Sequence, residues 1–178
     1  MQLQSVLESR RSIRAYEAGR QVTREQVEEI VAAASQAPSW KNSQTARYYC
    51  VLSPEMVEKF SQACLPPFNA QRAQNAALVV TTFVANRSGF SRDGTPDNEI
   101  GNGWGIYDLG LQSENFLLKA REMGLGTLIM GIRDADKIRA MLDIPEQEII
   151  VSVIALGYAA ESPERPPRKA PEQILRFC

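Results

Sequence analysis

The order of apolar and polar residues predicts a helix between residues 23 and 37. Its apolar positions recur at intervals of three and four, and they are occupied by Val27, Ile30, Val31 and Ala34. Thr23 and Gln26 stand three positions apart, which is the spacing of a capping box at a helix start. Pro38 follows and ends the helix, because a residue that precedes proline avoids the helical conformation.

The same reading assigns the rest of the chain. We predict helices over LQSVLESRR (3–11), PEMVEKFSQAC (54–64) and DADKIRAML (134–142). We predict strands over ARYYCVLS (46–53), AALVVTTFVA (76–85), GLGTLIMGI (124–132) and EIIVSVIALGYA (148–159). Helices and strands mix irregularly, which indicates a single α+β domain over residues 1–178 with a mixed, mostly antiparallel sheet.

A long helix over residues 104–124 is apolar on nearly every side. One stripe contains Leu109, Ser113, Phe116, Ala120 and Met123. Further apolar surface comes from Ile106, Leu111, Leu117 and Leu118. A helix of this kind is buried in a large core or in a subunit interface. In a chain of 178 residues we favour the interface.

Two segments show neither the helical nor the strand pattern of apolar residues. Residues 86–103 are dense in Gly, Asn and Asp and predict a mobile loop. Residues 161–178 contain four prolines and cannot form a regular helix before about residue 172. We expect this tail to run extended over a surface.

Composition narrows the function classes. The net charge of −1 argues against a nucleic-acid or membrane-surface protein, and no segment approaches the ~18 apolar residues of a membrane span. Both ends are nevertheless basic: residues 1–20 carry four arginines against two glutamates, and residues 163–178 are also net positive. These ends are either solvated faces or the two sides of a shared anion site.

The cysteines and the missing histidines exclude several chemistries. Cys50, Cys64 and Cys178 show no zinc or iron–sulfur spacing, and we expect no metal. An odd number without a signal peptide favours the reducing cytoplasm, and Cys50 is expected in the core because its surroundings are apolar. The chain has no histidine, so serine and cysteine triads lack a base. Neither a Walker A motif nor a dinucleotide fingerprint occurs.

The stretch RRSIRAY (10–16) is the strongest indication of a ligand. Arg10, Ser12 and Arg14 alternate, so on an extended segment their side chains project from one face. Two guanidinium groups and a hydroxyl suit phosphate oxygens. Together with the second basic group at Arg168 and Lys169, this favours a ligand that bears phosphate.

These segments, taken in order, resemble the nitroreductase family of FMN-dependent oxidoreductases. RRSIRAY is similar to the phosphate motif of the family, and PSWKNSQ (38–44) is similar to its flavin-facing loop. FNAQR (68–72), YDLGLQSENFLLKAREMGLGT (107–127) and LGYAAESPERPPRK (156–169) resemble further family segments. The resemblance covers about residues 5–175. It implies a three-layer fold and an intertwined homodimer with FMN between the subunits, with residues 163–178 packing on the partner subunit.

The resemblance also implies the site residues, and no protein group is expected to be catalytic because the chemistry occurs at the flavin. The phosphate would be held by Arg10, Arg11, Ser12, Arg168 and Lys169. The pyrimidine edge and polar rim of the flavin would be met by Arg14, Arg72 and Asn69. The partner subunit would supply Pro38, Ser39, Trp40, Asn42 and Gln44. The strand that passes the flavin would supply Leu128, Ile129, Met130 and Gly131, the last through its backbone N–H.

The implied function is hydride transfer from NAD(P)H through FMN to a small electrophile such as a nitro compound or a quinone. Two alternatives stay open: a flavin storage or sensing module without nicotinamide turnover, and a specialised reaction such as reductive dehalogenation. Trp40 stands where small residues are common in the family, so it is either a packing residue or an aromatic gate over the flavin. The short 86–103 segment leaves the acceptor undefined.

Overall fold

An antiparallel sheet forms the centre of the structure, a computed structural model that describes residues 2–178. Its strands are β1 (Ala46–Val51), β2 (Ala77–Val84), β3 (Gly126–Met130) and β4 (Glu148–Gly157). They lie side by side in the order β1-β2-β4-β3, and each neighbouring pair runs antiparallel. The predicted α+β class with a mostly antiparallel sheet is confirmed.

Helices cover both faces of this sheet. They are α1 (Leu3–Ser9), α2 (Arg24–Ala34), α3 (Pro54–Cys64), α4 (Pro67–Arg72), α5 (Gly103–Glu122), α6 (Ala135–Leu142) and α7 (Pro171–Ile174). The predicted cap of α2 is present, with the backbone N–H of Gln26 donating to Thr23 Oγ1 at 3.2 Å. Asp134 caps α6 by accepting from the Lys137 N–H at 3.1 Å. Helix α4 was not predicted, because six residues are too few to show a period.

Alternation along β2 divides the interior into two cores. Leu78 and Val80 point to the side of α3 and α6, where they pack with Phe60 and Ile138. Val79 points to the opposite side, into the core that α2 and α5 cover. Since burial on both faces requires apolar residues at successive positions, β2 reads as a continuous apolar run. The sheet is therefore the middle of three layers.

Helix α5 buries one side and leaves apolar surface on another. Leu109, Phe116 and Ala120 of the predicted stripe are buried, whereas Ser113 and Met123 are only half-buried. On the outer side of its first turns, Ile106 is 49 % exposed and Tyr107 is 59 % exposed. The helix therefore carries more apolar surface than its own chain covers.

The C-terminal tail leaves the domain after β4. It has no regular structure until α7 and is exposed at nearly every residue, as the proline content predicts. Ile174, Leu175 and Phe177 are exposed at 69 %, 48 % and 91 %. Apolar side chains of this size are rarely left in water in succession, so the tail has a second apolar surface that its own chain leaves uncovered.

The expectation that Cys50 lies in the core is wrong. Cys50 is exposed and lies on β1, which is an edge strand of the sheet. The residue borders an open groove of about 760 Å³ between α2 and β1, together with Val31 and Tyr48. Desolvation in this groove raises the pKa of the Cys50 thiol to about 11, so the residue is accessible but weakly reactive at neutral pH.

Among residues 2–178, none of the helices combines the length and apolar character that crossing a bilayer requires. Over the same residues, no cluster of cysteine, aspartate and glutamate side chains is placed to hold a metal ion.

Candidate functional site

The RRSIRAY segment is fixed to the sheet by its apolar residues. Ser12 forms an isolated parallel bridge with Thr127 at the start of β3, and the Ile13 N–H donates to the Thr127 carbonyl at 2.9 Å. Ile13 and Tyr16 are buried. Because these residues anchor the segment, Arg14 between them remains at the surface, and Arg10 and Arg11 just before them are half-buried.

Arginines from three parts of the chain, namely this segment, α5 and the C-terminal tail, lie near one another here. We call Arg10, Arg11, Arg121, Arg165 and Arg168 the arginine cluster. A small cavity of about 60 Å³ is lined by Arg10, Arg11 and Arg121, and Pro163 of the tail closes one side. Desolvation and the charges of Arg165, Arg10, Arg168 and Arg121 together lower the pKa of Arg11. The cluster is therefore a site of mutual repulsion between positive charges.

Glu161 is the one acid among the described residues that line the cavity, and its single negative charge offsets only part of this positive charge. No ion pair found among residues 2–178 includes a member of the arginine cluster. Glu161 lines the cavity, but one oxygen of its carboxylate already accepts from the backbone N–H of Arg14. Arg168 folds back on its own segment, with Nη1 donating to the carbonyls of Pro166 and Pro167.

Arg11 gives the clearest sign of a missing acceptor. Its Nη1 donates to the carbonyls of Glu8 and Arg10, both at 2.7 Å. Its Nε–H is buried and has no hydrogen-bond partner. A buried donor without an acceptor is costly, and a group with several charged oxygens would satisfy it. The residues present therefore fit the phosphate of FMN.

The loop PSWKNSQ (38–44) is strained. Lys41, Asn42 and Gln44 have φ values of 48°, 56° and 48°, in the left-handed region that residues other than glycine rarely adopt. Strain of this kind persists only where the surrounding structure imposes it, and it concentrates at functional sites.

A buried carboxylate imposes the conformation of this loop. Asp108 of α5 is 4 % exposed, and its Oδ2 accepts from the Trp40 backbone N–H at 2.9 Å and from Ser88 Oγ at 2.7 Å. Ser88 Oγ also lies 2.7 Å from Ser43 Oγ and 3.3 Å from Thr45 Oγ1. We call this group of hydrogen bonds the Asp108 network. The sequence gives one signal for it, a carboxylate within an otherwise apolar stretch of helix.

Aromatic rings lie against the same loop. The Trp40 and Trp104 ring centroids are 4.5 Å apart, and Tyr107 meets Trp104 edge-on at 5.7 Å. Trp104 Nε1 donates to Asn98 Oδ1 at 2.9 Å, whereas Trp40 Nε1 is buried without a partner. Trp40 therefore packs on α5 of its own chain. No local sequence pattern predicts that Trp104 and Tyr107 lie beside it.

The predicted site residues on and just after β3 fall into a buried pair and an exposed pair. Leu128 and Met130 are buried in the core, so only their backbone atoms can contact a ligand. Ile129, which is 46 % exposed, and Gly131 lie at the surface. The next residue, Ile132, is 64 % exposed and was not predicted as a site residue.

Helix α4 is tied to the end of β3. The buried side chain of Asn69 donates from Nδ2 to the Ile132 carbonyl at 3.0 Å, so it fixes the backbone beside Gly131. Arg72 is exposed, and its guanidinium lies 5.4 Å from the centre of the Phe68 ring.

Within the described chain, no hydrogen bond, ion pair or ring contact joins the arginine cluster to residues 38–44. The structure thus places the predicted Arg10 and Arg11 at one cavity with Arg121, which was not predicted as a site residue. Arg168, which was predicted, and Arg165, which was not, lie near enough for their charges to lower the pKa of Arg11. Roles for the remaining predicted residues, including Pro38, Ser39 and Lys169, stay predictions.

The comparisons with known proteins agree on one family. The model of the nitroreductase family matches residues 7–158. An Archaeoglobus fulgidus protein named "Putative NADH dehydrogenase/NAD(P)H nitroreductase" is 31 % identical over 175 residues, which cover 94 % of this chain and 93 % of that protein. An FMN reductase (NAD(P)H) from Bacillus subtilis is 28 % identical over 94 % of this chain and 70 % of its own length.

A solved structure supports the fold. A protein from Exiguobacterium sibiricum, solved in complex with FMN, superposes with a TM-score of 0.82 at 20 % identity and covers 100 % of this chain and 98 % of its own. The chain belongs to the nitroreductase family, and the predicted resemblance is confirmed.

Proposed function

We propose that this member of the nitroreductase family is an FMN-dependent oxidoreductase that transfers reducing equivalents from NAD(P)H to a small electrophilic acceptor. The observation that carries the proposal is the arginine cluster, in which the buried Nε–H of Arg11 lacks an acceptor. The family and the names of the relatives support the same cofactor and reductant.

The phosphate of FMN would be held by Arg10, Arg11 and Ser12, with Arg168 and Lys169 from the tail. Arg14, Arg72 and Asn69 would meet the polar edge of the ring, and Ile129 and Gly131 would lie along it. When bound, FMN supplies the capacity to take a hydride equivalent from a reduced nicotinamide and to pass it to an acceptor.

The residues of the chain have supporting tasks in this proposal. Positive charge from Arg14 and Arg72 favours negative charge on the pyrimidine side of the ring. The side chains of Ile129 and Ile132, which are exposed in the free chain, would exclude water from the neighbouring surface once a flavin covers them. The chain has no histidine, so protons come from solvent rather than from an imidazole.

We further propose a homodimer of single-domain subunits. Apolar surface is uncovered on α5 at Ile106 and Tyr107 and on the tail at Phe177. Obligate dimers bury about 2,000 Å² or more of total accessible surface, and their interfaces are rich in apolar residues of this kind. Residues 38–44 would then form one wall of the flavin site of the partner subunit, with Trp40 held in place by the Asp108 network. The free cysteines suit a reducing cytoplasm.

Flavin absorbance tests the proposal directly. Purified protein, or protein incubated with FMN, should absorb near 450 nm and lose that absorbance when NADH or NADPH is added without oxygen. Reoxidation by a quinone or a nitroaromatic compound completes the turnover. Protein that takes up no FMN contradicts the proposal, and protein that binds FMN but resists NAD(P)H is a flavin-binding module instead.

A further inference from the structure

Arg121 is a member of the arginine cluster that comes from a different element. It lies in the last turn of α5, and its side chain reaches α1, where Nε donates to Ser9 Oγ at 3.0 Å. Arg121 lines the cavity of about 60 Å³ together with Arg10 and Arg11. Its position is therefore fixed by a hydroxyl of the residue that precedes the phosphate motif.

A purely structural role explains Arg121 less well. A cation in the last turn of a helix interacts favourably with the helix dipole. Lys119 is placed in the same turn and makes ion pairs with Glu29 and Glu122 at 2.8 and 2.9 Å. Arg121 takes part in no ion pair found in residues 2–178 and instead lines the same cavity as Arg10 and Arg11. Like charges held this close are unfavourable unless an anion lies between them.

We propose that Arg121 is a phosphate-binding residue, and that it contacts the same FMN phosphate as Arg10 and Arg11. The proposal rests on the proposed function. It assigns one arm of the phosphate site to α5, whose outer side carries the uncovered residues Ile106 and Tyr107. Phosphate binding is then connected to the position of the helix that we place in the subunit interface.

Substitution Arg121→Gln tests the assignment when FMN is compared with riboflavin, which has the same ring and no phosphate. Dissociation constants are measured by quenching of flavin fluorescence. Loss of one charge-assisted hydrogen bond should weaken FMN binding by about 10- to 100-fold. Riboflavin affinity should remain within about twofold of the wild-type value. Arg121→Lys retains the charge but not the guanidinium fork, so its FMN affinity should lie between those of the wild type and Arg121→Gln.

The control is Arg24→Gln, on the exposed surface of α2, where Arg24 pairs with Glu28. It should change neither affinity. Unchanged FMN affinity in Arg121→Gln overturns the assignment. An equal loss of FMN and riboflavin affinity also overturns it, because it shows that Arg121 supports the fold around Ser9. Wild-type protein that binds neither flavin contradicts the proposed function itself, so the two failures are distinguishable.

Discussion

The arginine cluster and the loop at residues 38–44 satisfy their polar groups in opposite ways. In the cluster, charged side chains converge without carboxylate partners among the described residues, and Arg11 Nε–H has no acceptor at all. In the loop, the carboxylate of Asp108 and the hydroxyl of Ser88 are each shared by several donors. The cluster therefore lacks an acceptor for its charged groups, whereas the protein itself anchors the backbone of the loop and leaves one side-chain donor there, Trp40 Nε1, without a partner.

This difference distinguishes a region suited to bind a ligand from a region suited to keep a fixed conformation. A site that must hold an anion gains by keeping donors unsatisfied until the anion arrives. A wall that must keep one shape gains by satisfying its donors within the protein, because the network then holds the strained backbone of Lys41 and Gln44. The two regions should therefore respond differently to mutation: the loop through stability, and the cluster through ligand affinity.

The largest effect is expected from Asp108→Ala. The substitution removes a buried acceptor of two hydrogen bonds and leaves Trp40 N–H and Ser88 Oγ without it, so the free energy of unfolding should fall by about 3 to 5 kcal/mol. Urea unfolding followed by circular dichroism measures the change. Asp97→Ala is the matched control, since Asp97 makes an exposed ion pair with Lys41 and its loss should cost less than about 1 kcal/mol. Equal effects would show that the Asp108 network does not hold the loop.

Arg10→Ala should act on affinity and spare stability. Loss of one charge-assisted contact weakens FMN binding by about 10- to 100-fold, while riboflavin affinity stays near the wild-type value. Fluorescence titration gives both constants, and urea unfolding of the apoprotein should be nearly unchanged. An unaltered FMN constant would remove Arg10 from the phosphate site.

A smaller effect is expected from Gln44→Gly. Gln44 has φ of 48°, and left-handed backbone costs about 1–2 kcal/mol for an ordinary residue. Glycine removes that cost but loses more conformational entropy on folding, so we expect a net stabilisation of about 0.5–1 kcal/mol. Asn42→Gly is the control, because asparagine tolerates this region and should gain less. If both variants are destabilised, the loop is not strained.

The smallest expected effect is the change in the melting temperature of the apoprotein when inorganic phosphate is added. Inorganic phosphate should raise the melting temperature by about 1–3 °C over sodium chloride of equal ionic strength, because it binds between repelling guanidinium groups. Differential scanning fluorimetry measures the difference. The advantage of phosphate should disappear in a variant that combines Arg10→Gln and Arg121→Gln, and its persistence there would place the anion elsewhere.

The elements of the fold were predictable where local signals agreed. For PEMVEKFSQAC, the proline at the first turn and the apolar period gave a helix whose observed bounds are Pro54–Cys64. Cys50 was mispredicted because an apolar run does not show which strand lies at the edge of a sheet. That order depends on pairing between distant segments, here β1 with β2 and β2 with β4.

The candidate site was predictable only in part for the same reason. Arg10 and Arg168 were predicted because both lie in basic segments of the sequence, and their role in binding stays a prediction. Arg121 lies on a helix and donates a hydrogen bond to Ser9, 112 positions away. No local sequence pattern predicts that contact. Asp108 showed a local anomaly, a carboxylate in an apolar helix, but its partners Trp40 and Ser88 come from separate loops.

The position of β1 at the border of the sheet has a consequence for handling the protein. Among the described residues, β1 pairs with β2 on one side and has no strand on the other. An uncovered border presents free backbone N–H and C=O groups, to which strands of other molecules can add. Destabilised variants should therefore lose solubility before they lose secondary structure, and the lost protein should appear in the insoluble fraction at high expression levels.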